Sequence, residues 1–216
     1  MFSPLDLLFP RSNARYSSIS SYLSPEEISA LPSKLKPLTK NQKKVLEAVF
    51  VASPYSNYLV QDLINRVKLE GETAIINSFG NLIYQKVFVD ADYFVPDPDV
   101  IIPVAADPVR ELARGFSLQH SLAKHLTKHI DKSEYYNILQ KPQSTRPQSE
   151  LDRRERLQNL KHSFQLTPTL PGLGDVEILW LVDDITTTGA TLTESARLLK
   201  RAYPFVKIYG IVVAGN

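Results

Sequence analysis

The segment Val176-Glu177-Ile178-Leu179-Trp180-Leu181-Val182 is apolar at all but one position and runs directly into two adjacent carboxylates, Asp183 and Asp184. A strand apolar on both faces must be covered on both, the condition of a central strand in a mostly parallel sheet. Two further runs, Val100-Ile101-Ile102-Pro103-Val104 and Val206–Ala214, alternate with stretches carrying helical spacing. Those stretches are Glu111–Ile130, with Leu112, Phe116, Leu122 and Leu126, and Thr191–Arg201, stopped before Pro204. Tyr135–Leu139 reads as another strand and Arg153–Leu160 as a short charged helix. Repetition of strand, helix and strand predicts an α/β fold, a mostly parallel sheet flanked by helices.

The first half is patterned differently. Val45 and Val49, then Leu59, Leu63 and Val67, predict two helices from Thr39 onward, separated at Pro54. Ile75, Ile76, Phe79, Ile83 and Val87 predict a third helix through Thr73–Val89. Residues 1–40 carry a short apolar stretch and a Ser-rich run, and read as a small irregular amino-terminal appendage to a domain spanning 41–216. A hydrophobic content of 43% is enough for a full core. The formal charge of +2 is too small to make phosphate-backbone binding the default for the surface. The absence of Cys excludes disulfides, thiolate metal sites and cysteine nucleophiles, and makes the cytoplasm the expected compartment. No apolar run approaches the roughly 18 residues of a membrane span, and no secretion signal is expected.

The chemistry concentrates where the strand ends. Asp183-Asp184-Ile185-Thr186-Thr187-Thr188-Gly189-Ala190-Thr191 is a pair of acids followed by a hydroxyl-rich loop that opens a helix. Open parallel sheets bind ligands at the carboxyl ends of their strands. Successive N–H groups, hydroxyls and a helix amino terminus around one point suit a phosphate without a lysine. Thr191-x-x-Glu194 predicts a capping box for that helix. Two acids beside a phosphate site repel the phosphate, so their partners are neutral hydroxyls or a cation. Phosphate with sugar hydroxyls describes a ribose 5-phosphate. The bland alternative is a solvated strand end with ordinary turn chemistry. No Lys follows Gly189, which excludes a Walker loop, and Gly189 stands alone where a dinucleotide fingerprint needs three spaced glycines. His125 and His129 sit four apart on one helical face, as a metal pair or, more simply, a solvated face, and Trp180 is expected in the core.

The stretch Val182–Thr191 resembles the phosphoribosyl-pyrophosphate motif of type I phosphoribosyltransferases, and the remainder resembles their ComF branch. Asp99–Val104 with Arg110 and Arg114-Gly115-Phe116 is similar to the branch's pyrophosphate-loop region and its R-G-F-N-Q element, with Ser117 and Leu118 in place of Asn and Gln. Thr145, Pro147, Gln148, Leu151, Glu155, Arg156, Asn159 and Phe164 fall at a family spacing, and Lys68 before Gly71 resembles its K-x-x-G. The amino end resembles a zinc module stripped of its ligands. Leu5–Pro10 is the lead-in, and Ser24 and Glu27 stand where two cysteines are usual, so no zinc is expected.

The resemblance implies a type I phosphoribosyltransferase-like fold and a transferase acting on phosphoribosyl pyrophosphate with Mg²⁺, on an unidentified acceptor. The metal would be held through the pyrophosphate, with no direct protein ligand. Asp183 and Asp184 would hold the ribose hydroxyls, and Thr186, Thr187, Thr188, Gly189, Ala190 and Thr191 the 5-phosphate. Ala105, Ala106, Arg110, Arg114 and Arg156 would serve the pyrophosphate side and Lys68 substrate binding, with Asp183, Asp184, Arg110 and Arg114 as the catalytic candidates. Thr187 stands where 6-oxopurine enzymes of this fold carry an acid, which disfavours purine salvage. The segment 141–163, with Lys141, Arg146, Arg153, Arg154, Arg156 and Lys161, reads as a lid over the pyrophosphate or as a solvated charged helix. The alternative function is a non-catalytic sensor or interaction module linked to DNA uptake and competence. A second copy of the chain and DNA-uptake proteins are candidate partners; direct nucleic-acid binding and membrane association are not expected.

Overall fold

The computed structural model describes residues 23–90, 95–141 and 164–216. Leu5–Pro10, Arg156 and all of the family-spaced residues from Thr145 to Asn159, with nearly all of the expected lid, lie outside the described residues.

Six strands form one sheet in the order β1-β2-β8-β7-β3-β4. They are β1 (Lys34–Leu35), β2 (Ala48–Pro54), β3 (Val100–Pro103), β4 (Glu134–Tyr135), β7 (Ile178–Thr186) and β8 (Lys207–Gly215). Only β1 runs antiparallel to its neighbour. The two short strands β5 (Leu139–Gln140) and β6 (Gln165–Leu166) pair separately as a ribbon. The fold is therefore α/β with a mostly parallel sheet, consistent with the type I phosphoribosyltransferase-like architecture.

The pleat of the central strands divides the interior in two, because successive side chains leave opposite faces. Trp180 and Val182 join Phe50, Ile101, Ile211 and Val213 under one layer of helices. That layer contains α1 (Pro25–Ala30), α2 (Tyr58–Asn65), α3 (Ile75–Tyr84) and α5 (Leu118–His129). Leu179 and Leu181 join Val49, Val51, Ile102 and Val212 under α6 (Ala190–Ala202), which contributes Leu192, Ala196 and Leu199. Trp180 lies in the core as its sequence context requires, with Phe88 stacked on it at 5.0 Å. α2 and α3 each finish in a π-helical turn, Arg66–Glu70 and Gln85–Val89.

Three local readings of the sequence are corrected. The segment after Thr39 is no helix beyond the 3-10 turn Gln42–Lys44; Ala48–Pro54 is a strand between β1 and β8, buried at five central positions. A short apolar run fits either period, and burial on both sides decides for the strand. Glu111–Ile130 is two helices: α4 (Pro108–Arg114) ends on Gly115 at φ 77°, and α5 restarts on Ser117, whose hydroxyl accepts from the His120 N–H at 3.4 Å. Only Gly takes the left-handed conformation without steric cost, which makes this break a feature of the sequence. Tyr135–Leu139 is split between β4 and β5.

The described part of the amino-terminal stretch is joined to the body by packing. Leu23, Ile28 and Leu31 belong to the main core, and β1 extends the sheet through β2. Ser24 and Glu27 form a reciprocal capping box on α1. The Glu27 N–H donates to Ser24 Oγ at 3.2 Å, and the Ser24 N–H donates to Glu27 Oε2 at 2.7 Å. The buried Lys86 ammonium, paired with Asp90, donates to the Ser29 carbonyl at 2.9 Å and ties α1 to the end of α3.

Candidate functional site: a carboxylate pair at the switch point of the sheet

From β3 the chain crosses by α4 and α5, on one face, to β4; from β7 it crosses by α6, on the opposite face, to β8. Connections leaving in opposite directions open a crevice between the carboxyl ends of β3 and β7, where open α/β sheets bind ligands. β3 pairs with β7 only as far as Pro103 opposite Val182, followed by a bond from the Val104 N–H to the Val182 carbonyl at 2.9 Å. β7 continues alongside β8 to Thr186 opposite Gly215, so Asp183 and Asp184 stand one flank open at the rim of the crevice.

Both acids lie within β7 rather than beyond its end. They converge nevertheless, because each carboxylate folds back along the strand. Asp183 Oδ1 accepts the Asp184 N–H at 2.9 Å, and Asp184 Oδ1 accepts the Ile185 N–H at 2.8 Å. Gln119, in the first turn of α5, donates from Nε2 to Asp183 Oδ1 at 3.2 Å and to Asp184 Oδ1 at 3.4 Å. The Lys68 ammonium, carried by the π-helical turn after α2, forms an ion pair with Asp184 Oδ2.

These partners give the two carboxyls opposite proton affinities. Burial, then the neighbouring Asp184 charge, pushes Asp183 well above the usual carboxylate range. Burial pushes Asp184 up as well, but the Lys68 charge and hydrogen bond outweigh it and hold Asp184 below its ordinary value. Asp184 is therefore the carboxyl whose charge is countered by a cation.

The loop beyond is open. Thr187 and Thr188 are exposed, and Gly189 caps α6 at φ 76°. The first N–H groups of α6, from Ala190 and Thr191, have no intrahelical acceptor by helix geometry and face out of the helix end. Ala190 also takes a bond of 3.3 Å to Thr188 Oγ1. A Cβ on Gly189 would stand 2.6 Å from Gln42 Nε2, the amide that donates to the Thr188 carbonyl at 2.9 Å. Thr186 is not part of this loop: it is buried at the end of β7, and its carbonyl accepts from Asn216 at 3.2 Å. The capping box expected from Thr191 and Glu194 does not form, because Thr191 is already inside the helix. Thr193 Oγ1 donates to the Gly189 carbonyl at 2.6 Å, and Glu194 pairs with Arg197.

Across the crevice, Ala105 and Ala106 follow β3, and Asp107 caps α4 through Val109 and Arg110 N–H groups at 3.0 and 3.3 Å. Arg114 is half-buried; burial lowers its proton affinity and the field of Asp184 opposes that, which puts the guanidinium within electrostatic reach of the carboxylate pair. Arg110 is exposed. Lys141 lies 3.9 Å from Asp107 Oδ2, its proton affinity lowered by burial, with Asp107 opposing and Arg110 adding to the effect.

Gln119 and Gln42 were not singled out by the site motifs, and Lys141 was expected only as one cation of the lid. Gln119 is one residue beyond the place where R-G-F-N-Q would put a glutamine. Thr39-x-x-Gln42 has capping-box spacing, and the two residues exchange bonds of 2.9 and 3.4 Å. His125 is engaged by its neighbours: its ring nitrogens lie 3.1 and 3.3 Å from the Asn77 and Asn81 side-chain oxygens. Among the described residues no cluster of three or more His, Cys, Asp or Glu could hold a metal, and no helix is long and apolar enough to cross a membrane.

Fold and site together define an α/β protein with an open threonine-rich loop and a carboxylate pair at a topological switch point. No family model matches the chain. Competence protein F of Haemophilus influenzae is 29% identical over 154 residues, 70% of this chain and 67% of that protein. The DNA utilization protein YhgH of Salmonella typhi is 30% identical over 140 residues, 64% of this chain and 60% of its own length. Competence protein ComFC of Bacillus subtilis is 28% identical over 146 residues, 66% and 54% of the respective chains. The chain is thus related to the ComF group of competence proteins, and the matches span between 54% and 67% of these relatives' length.

Proposed function

We propose that the chain is a phosphoribosyltransferase that binds phosphoribosyl pyrophosphate and passes the phosphoribosyl group to an acceptor nucleophile. The observation carrying this reading is the adjacency, at one switch point, of a buried carboxylate pair and an open threonine-rich loop at the amino end of a 13-residue helix. Hydroxyls of a ribose suit the first and a 5-phosphate the second. In the transfer, the bond from ribose C1 to the pyrophosphate oxygen breaks with its electrons leaving on pyrophosphate, and the acceptor's lone pair forms the new bond to C1. A nitrogen acceptor then releases its proton to solvent. Arg114, Lys141 and Arg110 supply positive charge toward the departing group. Mg²⁺, arriving with the pyrophosphate, would offset part of its charge. The names of the relatives support DNA uptake and use as the setting.

A second reading, a phosphoribosyl-ligand sensor without turnover, has one observation in its favour. The loop offers hydroxyls at Thr187 and Thr188 and no side chain that titrates near neutrality to take an acceptor's proton. Incubation with phosphoribosyl pyrophosphate and Mg²⁺, following pyrophosphate release with and without a panel of nitrogen acceptors, separates the two. Acceptor-dependent release supports the transferase; tight binding with no release across the panel supports the sensor.

A further inference from the structure

Among the described residues Gln119 is the neutral side chain that hydrogen-bonds both carboxylates, and it reaches them because α4 stops at Gly115 and α5 begins afresh at Ser117. A continuous helix from 111 would carry residue 119 elsewhere. Its neighbour Leu118 is buried in the core, which pins the first turn of α5 against the sheet. The amide is itself 8% exposed, and its Oε1 is buried with no hydrogen-bond partner. An unpaired buried acceptor is costly and rare in native proteins. Here it lies on the same amide that grips Asp183 and Asp184.

We infer that Gln119 is the positioning residue of the sugar site. Its Nε2 locks the two Oδ1 atoms into one orientation, leaving the remaining acceptors for a vicinal diol, and its Oε1 accepts a hydrogen bond from a ligand hydroxyl. The inference deepens the proposed function and rests on the sugar reading of the carboxylate pair. It also assigns a chemical selectivity: an amide acceptor facing a hydroxyl discriminates against a ligand lacking that hydroxyl, because the buried oxygen then stays unpaired.

The test uses the full chain and three ligands: ribose 5-phosphate, 2-deoxyribose 5-phosphate and inorganic phosphate. Gln119→Met keeps the length and removes both polar atoms. Ribose 5-phosphate affinity is expected to fall by about tenfold or more, its preference over the deoxy sugar to collapse, and inorganic phosphate affinity to stay within about twofold of wild type. Gln119→Glu adds a readout that a purely structural role would not move. Ionised, its carboxylate repels the two acids, and protonated it can donate as the amide does, so its ribose 5-phosphate affinity relative to wild type should rise as pH falls through the titration of the introduced carboxyl. Should Gln119→Met unfold, Gln119→Glu carries the same comparison. If wild type prefers the ribose over the deoxy sugar and both variants keep that preference at every pH, the role of Gln119 is overturned while the sugar site stands. If wild type shows no preference, the sugar reading fails and the inference with it.

Discussion

The two loops that frame the crevice offer different means of holding an anion. The loop after β7 is short, carries no charged side chain from Ile185 to Thr191, and leads into a helix anchored by Leu192, Ala196 and Leu199. Its donors are backbone dipoles fixed by the fold, so they lose little freedom on binding. The loop after β3 leads into α4, which has no buried residue and exposes Val109 and Leu112. Its means are the side chains Arg110 and Arg114, with Lys141 beside them paired to Asp107, the residue that caps α4. Rigid neutral dipoles suit a phosphate that stays bound throughout. Long cationic side chains suit a group that arrives highly charged and must then leave. Between the two lies the carboxylate pair, in which Asp184 is paired with Lys68.

The largest break in this arrangement should come from Lys68→Met. It leaves the Asp184 carboxylate buried without its cation, and losing one partner of a buried pair costs about 3–5 kcal/mol. Chemical denaturation should show that loss at neutral pH and a smaller one in acid. The sign follows from the folded-state proton affinity of Asp184, which is lowered: its stabilising share is present above the unfolded value and disappears as pH falls through the folded value. Asp183 works in the opposite direction. Its raised proton affinity means that the folded state loses stability as pH rises from the unfolded carboxyl value toward the folded one. Asp183→Asn should therefore make the free protein more stable than wild type at neutral pH, with the difference closing in acid. The same substitution, and Asp184→Asn, should weaken ribose 5-phosphate binding by about 1–3 kcal/mol while leaving inorganic phosphate nearly untouched, as calorimetric titration would show.

The asymmetry between the loops also governs what could be read from the sequence. The β7 loop was legible because its chemistry is local: strand, acids, threonines and glycine are consecutive, and the structure keeps them so. The β3 side and the carboxylate partners are assembled from distant places, Lys68 from a π-helical turn, Gln119 from a restarted helix and Lys141 from the end of a two-residue strand. Motif resemblance supplied Lys68 and the two arginines, but nothing short of the Gly115 break tells which residue of α5 faces Asp183. The parallel strands Val100–Pro103 and Ile178–Thr186 were plain in their apolar runs, whereas Ala48–Pro54 was not, since seven residues with Val49 and Phe50 satisfy helical spacing nearly as well. At the amino end Ser24 and Glu27 form a capping box whose sequence signature, S-x-x-E, was also legible.

A smaller effect tests the rigidity of the β7 loop. Gly189→Ala places a Cβ at φ 76° and 2.6 Å from Gln42 Nε2. The left-handed conformation alone costs about 1–2 kcal/mol for a residue with a Cβ. Because the contact is with the end of a side chain, Gly189→Ala/Gln42→Ala should recover part of the loss, the clash but not the conformational share. Equal stability of the single and double variants in thermal unfolding would show that Gln42 simply moves aside.

The smallest effect concerns the cationic loop, where Arg110 and Arg114 differ in setting. Arg110 is solvent-exposed, and an exposed charge contributes about 0–1 kcal/mol and is screened by salt. Arg114 is half-buried within the field of Asp184, where screening is weaker. Arg110→Ala should therefore reduce pyrophosphate affinity slightly at low ionic strength and not at all at high ionic strength. Arg114→Ala should reduce it in both conditions and by more. Neither should alter the affinity for inorganic phosphate at the β7 loop, since that site uses backbone donors. The measurement is a titration of pyrophosphate and phosphate into each variant at two salt concentrations. A salt-dependent loss of phosphate affinity in Arg110→Ala would mean that the two loops share one field, and that the division between dipole and side-chain recognition is drawn in the wrong place.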